Sequence, residues 1–393
     1  MSVAKVEDLG VRGKRVLVRE DLNVPMNGTA IADYTRVDAA IPTLKLLLDR
    51  GARVAILSHL GRPDGKPDRA LSLRPVAGAL SERLHVPVAF AGDCVGDVAR
   101  RAVDALEDGQ AVLLENVRFH PEEERNDPAF AKRLADLGDL YVNDAFGTAH
   151  RAHASTEGIA HLLPSAAGLL MEAELHALSS LVGNPAKPFV CAIGGAKVKD
   201  KIGVFNRLMQ LVDAFCIGGG MANTFLSALG VHVGKSLCDP DPEPAIYVFE
   251  RARLQHVELL LPKDAVVAPS LDSPETRIVD IGDVGDAMIL DIGPATAAAY
   301  AAAIEQAKTI VFNGPMGVYE NPRYRSGTQA VGDAIARATS HGAISVVGGG
   351  DAAAAAHLLG FAGKMTHVST GGGATLEFLE GKTLPGVAAL ESP

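Results

Sequence analysis

Guanidinium groups recur in the first half of this chain where short apolar runs end. Arg19-Glu20-Asp21-Leu22-Asn23, Ser58-His59-Leu60-Gly61-Arg62 and Glu115-Asn116-Val117-Arg118 each follow such a run, and Asn143-Asp144 follows another and leads to His150-Arg151. A guanidinium offers planar, paired donors that match phosphate and carboxylate oxygens. If Arg36, Arg62, Arg118 and Arg151 converge with His59, they form a cage for a small anion carrying such groups. Taken singly, each arginine reads as a surface charge paired with a nearby acid. Their repetition at one topological place carries the argument, because a chain with 37 Lys plus Arg, 47 Asp plus Glu and a net charge of −10 has little other reason to gather them.

The second half ends its apolar runs on glycines instead: Gly194-Gly195, Gly218-Gly219-Gly220, Gly293, Asn313-Gly314 and Gly348-Gly349-Gly350-Asp351. Glycine lets a backbone amide approach a ligand with no Cβ in the way, and amides at a helix start favour anionic oxygens. One such turn is weak, but the recurrence reads as a nucleotide platform. Lys197 and Lys201, four apart in Gly194–Lys201, are expected on one helical face within reach of phosphate oxygens; the alternative is a pair of ordinary solvated lysines. Asp351 reads either as a carboxylate near nucleotide-bound Mg²⁺ or as the N-cap of a helix over 352–359, and the two are compatible. Gly371-Gly372-Gly373 opens a further helix whose start is placed to receive a phosphoryl group.

Elements that position these residues alternate along the chain as βαβ units, which predicts an α/β fold with parallel sheets. Strands are expected over 16–19, 54–58, 112–115 and 140–143, then 189–193, 214–217, 288–292, 309–313 and 344–347. Helices are expected at 36–51 and 171–182. The second ends at Gly183-Asn184-Pro185, the best boundary in the sequence. We therefore expect two doubly wound, Rossmann-like parallel-sheet domains, each a three-layer αβα sandwich, with domain limits 1–170 and 186–379 and a hinge helix and linker at 171–185. Ligands of such sheets bind beyond the carboxyl ends of the strands.

Composition excludes other classes. At 48% hydrophobic and 21% charged residues the chain is neither disordered nor fibrous. Its acidic balance argues against coating nucleic acid or anionic lipid. Cys94, Cys191, Cys216 and Cys238 show no zinc spacing and suit a reduced, cytoplasmic protein. The N-terminus has no signal-peptide pattern. The uncharged stretch 214–234 is too rich in glycine to be a membrane span and reads as strand, turn and helix. Gly230–Ser236 falls one residue short of a Walker A loop, no GxGxxG is present, and His150 and His153 have no partner at metal-ligand spacing.

The motifs RVLVREDLNVP from Arg15, SHLGRP from Ser58, LLENVRF from Leu113, DAFGTAHRAHAST from Asp144, GGAKVKDK from Gly194, FNGPMGVYE from Phe312, VVGGGD from Val346, STGGGA from Ser369 and EGKTLPGV from Glu380 occur in order over the whole chain. Together they closely resemble the phosphoglycerate kinase family. The resemblance implies a monomeric glycolytic enzyme that moves a phosphoryl group reversibly between 1,3-bisphosphoglycerate and ADP, giving 3-phosphoglycerate and ATP, with Mg²⁺. It implies phosphoglycerate contacts at Asp21, Asn23, Arg36, His59, Leu60, Gly61, Arg62, Arg118 and Arg151. It places nucleotide contacts at Gly194, Gly195, Lys201, Gly218, Gly219, Gly293, Asn313, Glu320, Gly349, Gly350, Asp351 and Ala352, with Asp351 also at the metal. Arg36, Lys197, Lys201, Gly371 and Gly372 would surround the moving phosphoryl group, and the tail 380–393 would cross back to the first domain. Glu20 and Leu22 stand where the common pattern has valine and phenylalanine, which is expected to change packing only. Ala352 removes a frequent hydroxyl. A silent nucleotide-binding protein and a nicotinamide dehydrogenase are the competing readings.

Overall fold

The computed structural model describes residues 3–391. The chain divides into two compact units, Met1–His176 with Thr383–Pro393, and Ala177–Lys382. The division falls inside the helix Leu169–Val182, upstream of the Gly183-Asn184-Pro185 break.

In the first unit the strands are β1 (Arg15–Arg19), β2 (Met26–Asn27), β3 (Ala30–Ile31), β4 (Arg53–Leu57), β5 (Val88–Ala91), β6 (Ala111–Leu114), β7 (Leu140–Asn143) and β8 (Ser165–Ala167). β2 and β3 form a small hairpin, and the other six make one parallel sheet in the order β5-β6-β4-β1-β7-β8. Its inner strands, such as RVLVR and RVAIL, are almost wholly buried, as the near-continuous apolar runs of a parallel sheet require. The helix Thr35–Asp49 lays Val37, Leu44, Leu47 and Leu48 on that sheet. It stops two residues short of the expected end because Gly51, at φ +77°, is the left-handed residue beyond the cap.

The second unit holds β9 (Phe189–Ile193), β10 (Ala214–Ile217), β11 (Glu258–Leu260), β12 (Asp264–Ala268), β13 (Arg277–Asp280), β14 (Met288–Ile292), β15 (Thr309–Asn313), β16 (Ile344–Val347) and β17 (His367–Val368). Six of these form a parallel sheet, β11-β10-β9-β15-β16-β17. β14 does not join it. That strand pairs antiparallel with β12 in a separate three-stranded sheet, so Gly293 does not follow a strand of the parallel platform. A run such as MILDI reads the same in either setting, and only the pairing distinguishes them.

Each parallel sheet starts from an interior strand, fills one side, then returns to the other. The reversals lie between β1 and β7 and between β9 and β15, the places where an open α/β sheet leaves a crevice. The 214–234 stretch folds as β10, the helix Gly219–Ala228 and a loop. Among the described residues no helix is long and apolar enough to cross a membrane.

Candidate functional site

At the carboxyl end of β1 the guanidinium of Arg19 is fully buried. Its Nε donates to Ser155 Oγ (2.8 Å), one Nη donates to the Glu20 carbonyl, and the other lies 3.2 Å from His59 Nδ1. A guanidinium only donates, so Nδ1 accepts and the His59 proton sits on Nε2. Burial first, and then the charges of Arg19, Arg118, Arg36 and Arg151, hold His59 well below the usual histidine range. His59 is therefore a neutral N–H donor, and three of the four arginines singled out in the sequence act on it at close quarters.

The loops around it are tied to one another. Arg36, in the first turn of its helix, places Nη1 2.5 Å from Asp21 Oδ1. Asn23 Oδ1 accepts from the Gly61 amide (2.8 Å), the Leu60 carbonyl from Asn116 Nδ2 (2.7 Å), and the Gly61 carbonyl from Arg118 Nη1 (3.0 Å). Arg118 is buried; its Nε faces Glu124 at 3.2 Å while Nη2 has no hydrogen-bond partner. Burial lowers its pKa to about 10. A buried guanidinium N–H left without an acceptor calls for an anion. Arg151 Nε donates to His150 Nε2 at 3.1 Å, and Arg62 is exposed on the loop after Gly61.

Sequence reasoning missed Arg19 and the Glu123–Ser155 pair beneath it, where Glu123 accepts from the Ser155 amide (2.9 Å) and hydroxyl (2.6 Å). The available signal was an arginine closing the otherwise apolar strand RVLVR. The expectation that Glu20 alters packing alone falls short. Its carboxyl is buried with neither oxygen hydrogen-bonded, and burial together with nearby Asp144 raises its pKa well above the usual carboxyl range. Among the described residues Asp93, Cys94 and His120 also bring metal-type donor atoms within 4.8 Å of one another. There Asp93 Oδ1 is already engaged, 2.8 Å from His120 Nε2 and 2.7 Å from the Cys94 amide.

In the second unit the loops after β9 and β15 touch. A Cβ on Gly194 would lie 2.0 Å from the Pro315 carbonyl oxygen, so glycine is required there by loop against loop as much as by any ligand. Gly218 meets Met316 in the same way. Lys201 Nζ donates to Asn313 Oδ1 (2.6 Å), and Asn313 Nδ2 donates to the Gly348 carbonyl (2.6 Å), linking the sheet's reversal point to the glycine turn after β16. Burial lowers the Lys201 pKa.

Lys197 and Lys201 do not share a helical face. Lys197 is an extended, exposed residue ahead of the 3₁₀ turn Val198–Lys201, and the α-helix begins only at Ile202. In a three-residue turn, positions four apart point about 120° from each other. Asp351 is not a helix N-cap either. Gly349, at φ +104°, occupies that position, and Asp351 lies exposed in the first turn of the helix Gly350–Leu358, with Ala352 buried behind it. Gly371 and Gly372 precede the helix Gly373–Leu379, and the Gly371 amide donates to Ser369 Oγ at 3.1 Å.

Beside these loops is a pocket of about 340 Å³. Gly195, Ala196, Gly219 and Gly220 form one wall, Leu237, Leu290, Met316 and Val318 supply apolar surface, and Glu320 and Asp351 add carboxylates. A largely apolar slot with a few polar groups suits a flat heterocycle bearing a sugar and phosphates. The slot reaches Ile292, whereas Gly293 lines a separate depression with Pro294 and Ser326.

Comparison with known proteins agrees over the full length. The family model described as phosphoglycerate kinase matches residues 6–382. The chain is 53% identical over 393 residues to a phosphoglycerate kinase of Pelotomaculum thermopropionicum, covering 99% of each, and 53% identical over 394 residues to that of Moorella thermoacetica, again covering 99% of each. Among solved structures, the phosphoglycerate kinase of Coxiella burnetii superposes with a TM-score of 0.89 at 44% identity over 99% of both chains. That of Pyrococcus horikoshii gives 0.84 at 33% over 98% of both. With this sheet topology and these motifs, the chain belongs to the phosphoglycerate kinase family.

Proposed function

We propose that the two sites serve the two substrates of one reaction, the cationic cluster taking 3-phosphoglycerate or 1,3-bisphosphoglycerate and the apolar slot taking ATP or ADP. The chain is an ATP:3-phosphoglycerate 1-phosphotransferase of glycolysis, passing a phosphoryl group reversibly between 1,3-bisphosphoglycerate and ADP. The observation that supports the assignment of the first site best is His59, buried and neutral, among the guanidiniums of Arg19, Arg36, Arg118 and Arg151 in a protein of net charge −10.

In the ATP-consuming direction the attacking group is a carboxylate, already ionised near neutral pH, so no general base is needed. The protein's task is to position the reactants and to stabilise charge on the oxygens of the moving group. Arg36, Lys197, Lys201 and the amides at Gly371 and Gly372 are the groups we assign to it, the Gly371 amide exchanging its Ser369 Oγ acceptor for a phosphoryl oxygen. Asp351 is exposed and borders the slot, which fits the preference of Mg²⁺ for one or two carboxylates alongside nucleotide phosphates. When bound there, the ion neutralises phosphate charge. In-line transfer requires the two bound substrates to meet, and closure about 171–185 is the motion we assign to that step. It would also expel water able to hydrolyse an acyl phosphate. We read the chain as a monomer, as the family resemblance implies, and as cytoplasmic, a compartment that suits its four free thiols.

The test is a coupled assay for ATP formation from 1,3-bisphosphoglycerate and ADP, run beside an assay for nicotinamide reduction. ATP formed only when both substrates and Mg²⁺ are present is the expected result. Binding of both ligands without turnover would leave a silent binding protein, and hydride transfer would revive the dehydrogenase.

A further inference from the structure

Asp291 lies one residue before the end of β14 and borders the slot, yet the residue is only 1% exposed. Both carboxylate oxygens are engaged. Oδ2 accepts the Gly327 amide (2.7 Å) at the start of the helix Ser326–Ser340, and Oδ1 accepts its neighbour Ile292's amide (2.9 Å). The carboxylate fills the space where side chains at Gly317 and Gly327 would project: a Cβ at either would approach Oδ1 to 2.3 or 2.5 Å. Asp291 thus packs against both ends of the 317–327 segment, which carries Glu320.

Two backbone amides of this region make neutral bonds instead. The Val318 amide donates to the Leu290 carbonyl (2.9 Å) and the Met316 amide to Thr328 Oγ1 (3.0 Å). Those are indifferent to pH. The Asp291 bonds are not, because a carboxyl that gains a proton turns one acceptor oxygen into a donor, and here both oxygens face an amide N–H.

We propose that Asp291 is a positioning residue for the nucleotide site: its carboxylate form holds the segment bearing Glu320 in the shape that binds a nucleoside, and its protonation frees the Gly327 end and weakens binding. This rests on reading the slot as the nucleotide site.

Burial raises the Asp291 pKa to about 7, with the Gly327 and Ile292 amides pulling the other way. The titratable residues on the packed elements are Asp264 on β12, Tyr319, Glu320, Arg323, Tyr324 and Arg325 on the segment, and Asp333 and Arg337 on the following helix; none of them shifts it by its charge. The helix Gly219–Ala228, which also packs on β14, contains no titratable residue. A nucleoside that selects the carboxylate form meets a competent fraction of about 0.9 at pH 8 and about 0.1 at pH 6, so its apparent Kd rises about tenfold on acidification.

Adenosine is the probe, because it has no phosphate to titrate near neutral pH. Calorimetry on the full chain should show Kd about tenfold weaker at pH 6 than at pH 8. At pH 7, buffers of different ionisation heat should reveal release of about half a proton per adenosine bound. Asp291→Asn, which cannot ionise, should bind adenosine weakly at every pH and release none. Equal Kd at pH 6 and 8 in the wild-type chain with no proton release overturns the proposal, whether or not the variant folds. Persistence of the same pH step in folded Asp291→Asn overturns it too. Failure of adenosine to bind at either pH removes the nucleotide reading of the slot and the proposal with it, and is distinct from binding that is merely flat.

Discussion

Arg36 and Arg62 carry the same charge and stand differently toward the proposed phosphoglycerate site. Arg36 is only a third exposed, paired with Asp21 at 2.5 Å and close enough to His59 to depress its pKa. Arg62 faces solvent. A group held in place before the reaction stabilises charge that develops during transfer, whereas an exposed one contributes mainly to capture of the anion. Arg36→Ala should therefore lower kcat by roughly 10³-fold or more, as removal of an arginine finger does, while Arg62→Ala should raise KM for phosphoglycerate with little change in kcat. Steady-state kinetics on both variants decide the matter, and equal losses of kcat would erase the division. The residues legible in the sequence at this scale are those in long motifs: Asp21, Asn23, His59 and Arg118. Arg19 and Asp291 were not legible. Each sits within or at the end of an apolar strand, where one charged residue resembles any strand end, and its meaning depends on partners 136 and 36 residues away.

At the scale of elements, the glycine turns are where sequence and structure diverge most instructively. Recurrence after the strands suggested open amides, yet Gly194 is needed because the Pro315 carbonyl occupies the place of its side chain. A Cβ there meets backbone, which cannot swing aside, so Gly194→Ala should cost about 2 kcal/mol or more of stability and abolish nucleotide binding by parting the loops after β9 and β15. Gly350→Ala is the control. Nothing lies within 4 Å of its added methyl, and the change should stay within about 0.5 kcal/mol. Thermal melts of both variants with and without ATP test this, and equal behaviour would contradict the packing argument. The central strands of both sheets were legible, being continuous apolar runs. The four parallel strands that were not, β5, β8, β11 and β17, are the four edges of the two sheets. Edge strands pair on one side only, are short, and need little apolar sequence, so their signal is weak.

Across the whole molecule, buried titratable groups set two opposing pH trends. Burial holds Glu20 and Glu123 above the usual carboxyl range and raises Asp144 to about 6 and Asp291 to about 7. A carboxyl raised in the folded state takes up a proton on folding. Its contribution to stability is full below its unfolded pKa, near 4, and fades as pH climbs through the folded value. His59 and His153 behave oppositely. Burial and neighbouring arginines lower both, His153 to about 3, so their contribution is full above 6.5 and fades as pH falls from there toward the folded values. Between about pH 4 and 6.5 the trends oppose each other, which predicts a shallow stability profile in weak acid where a protein of net charge −10 with only surface carboxylates would show a steeper one. Removing one member exposes the balance. Asp144 Oδ1 accepts the Met171 amide at 3.0 Å, a bond that asparagine can keep. Asp144→Asn deletes only the ionisation that the wild-type chain must undergo in a buried site. Relative to wild type the variant should gain stability as pH rises from 4 to 7.5, by roughly 2–3 kcal/mol, most of it between pH 4 and 6. Calorimetric melting of the two proteins in parallel across that range checks it. A Tm gap that stays constant would mean that Asp144 ionises as an ordinary surface carboxylate does and that its burial carries no electrostatic cost.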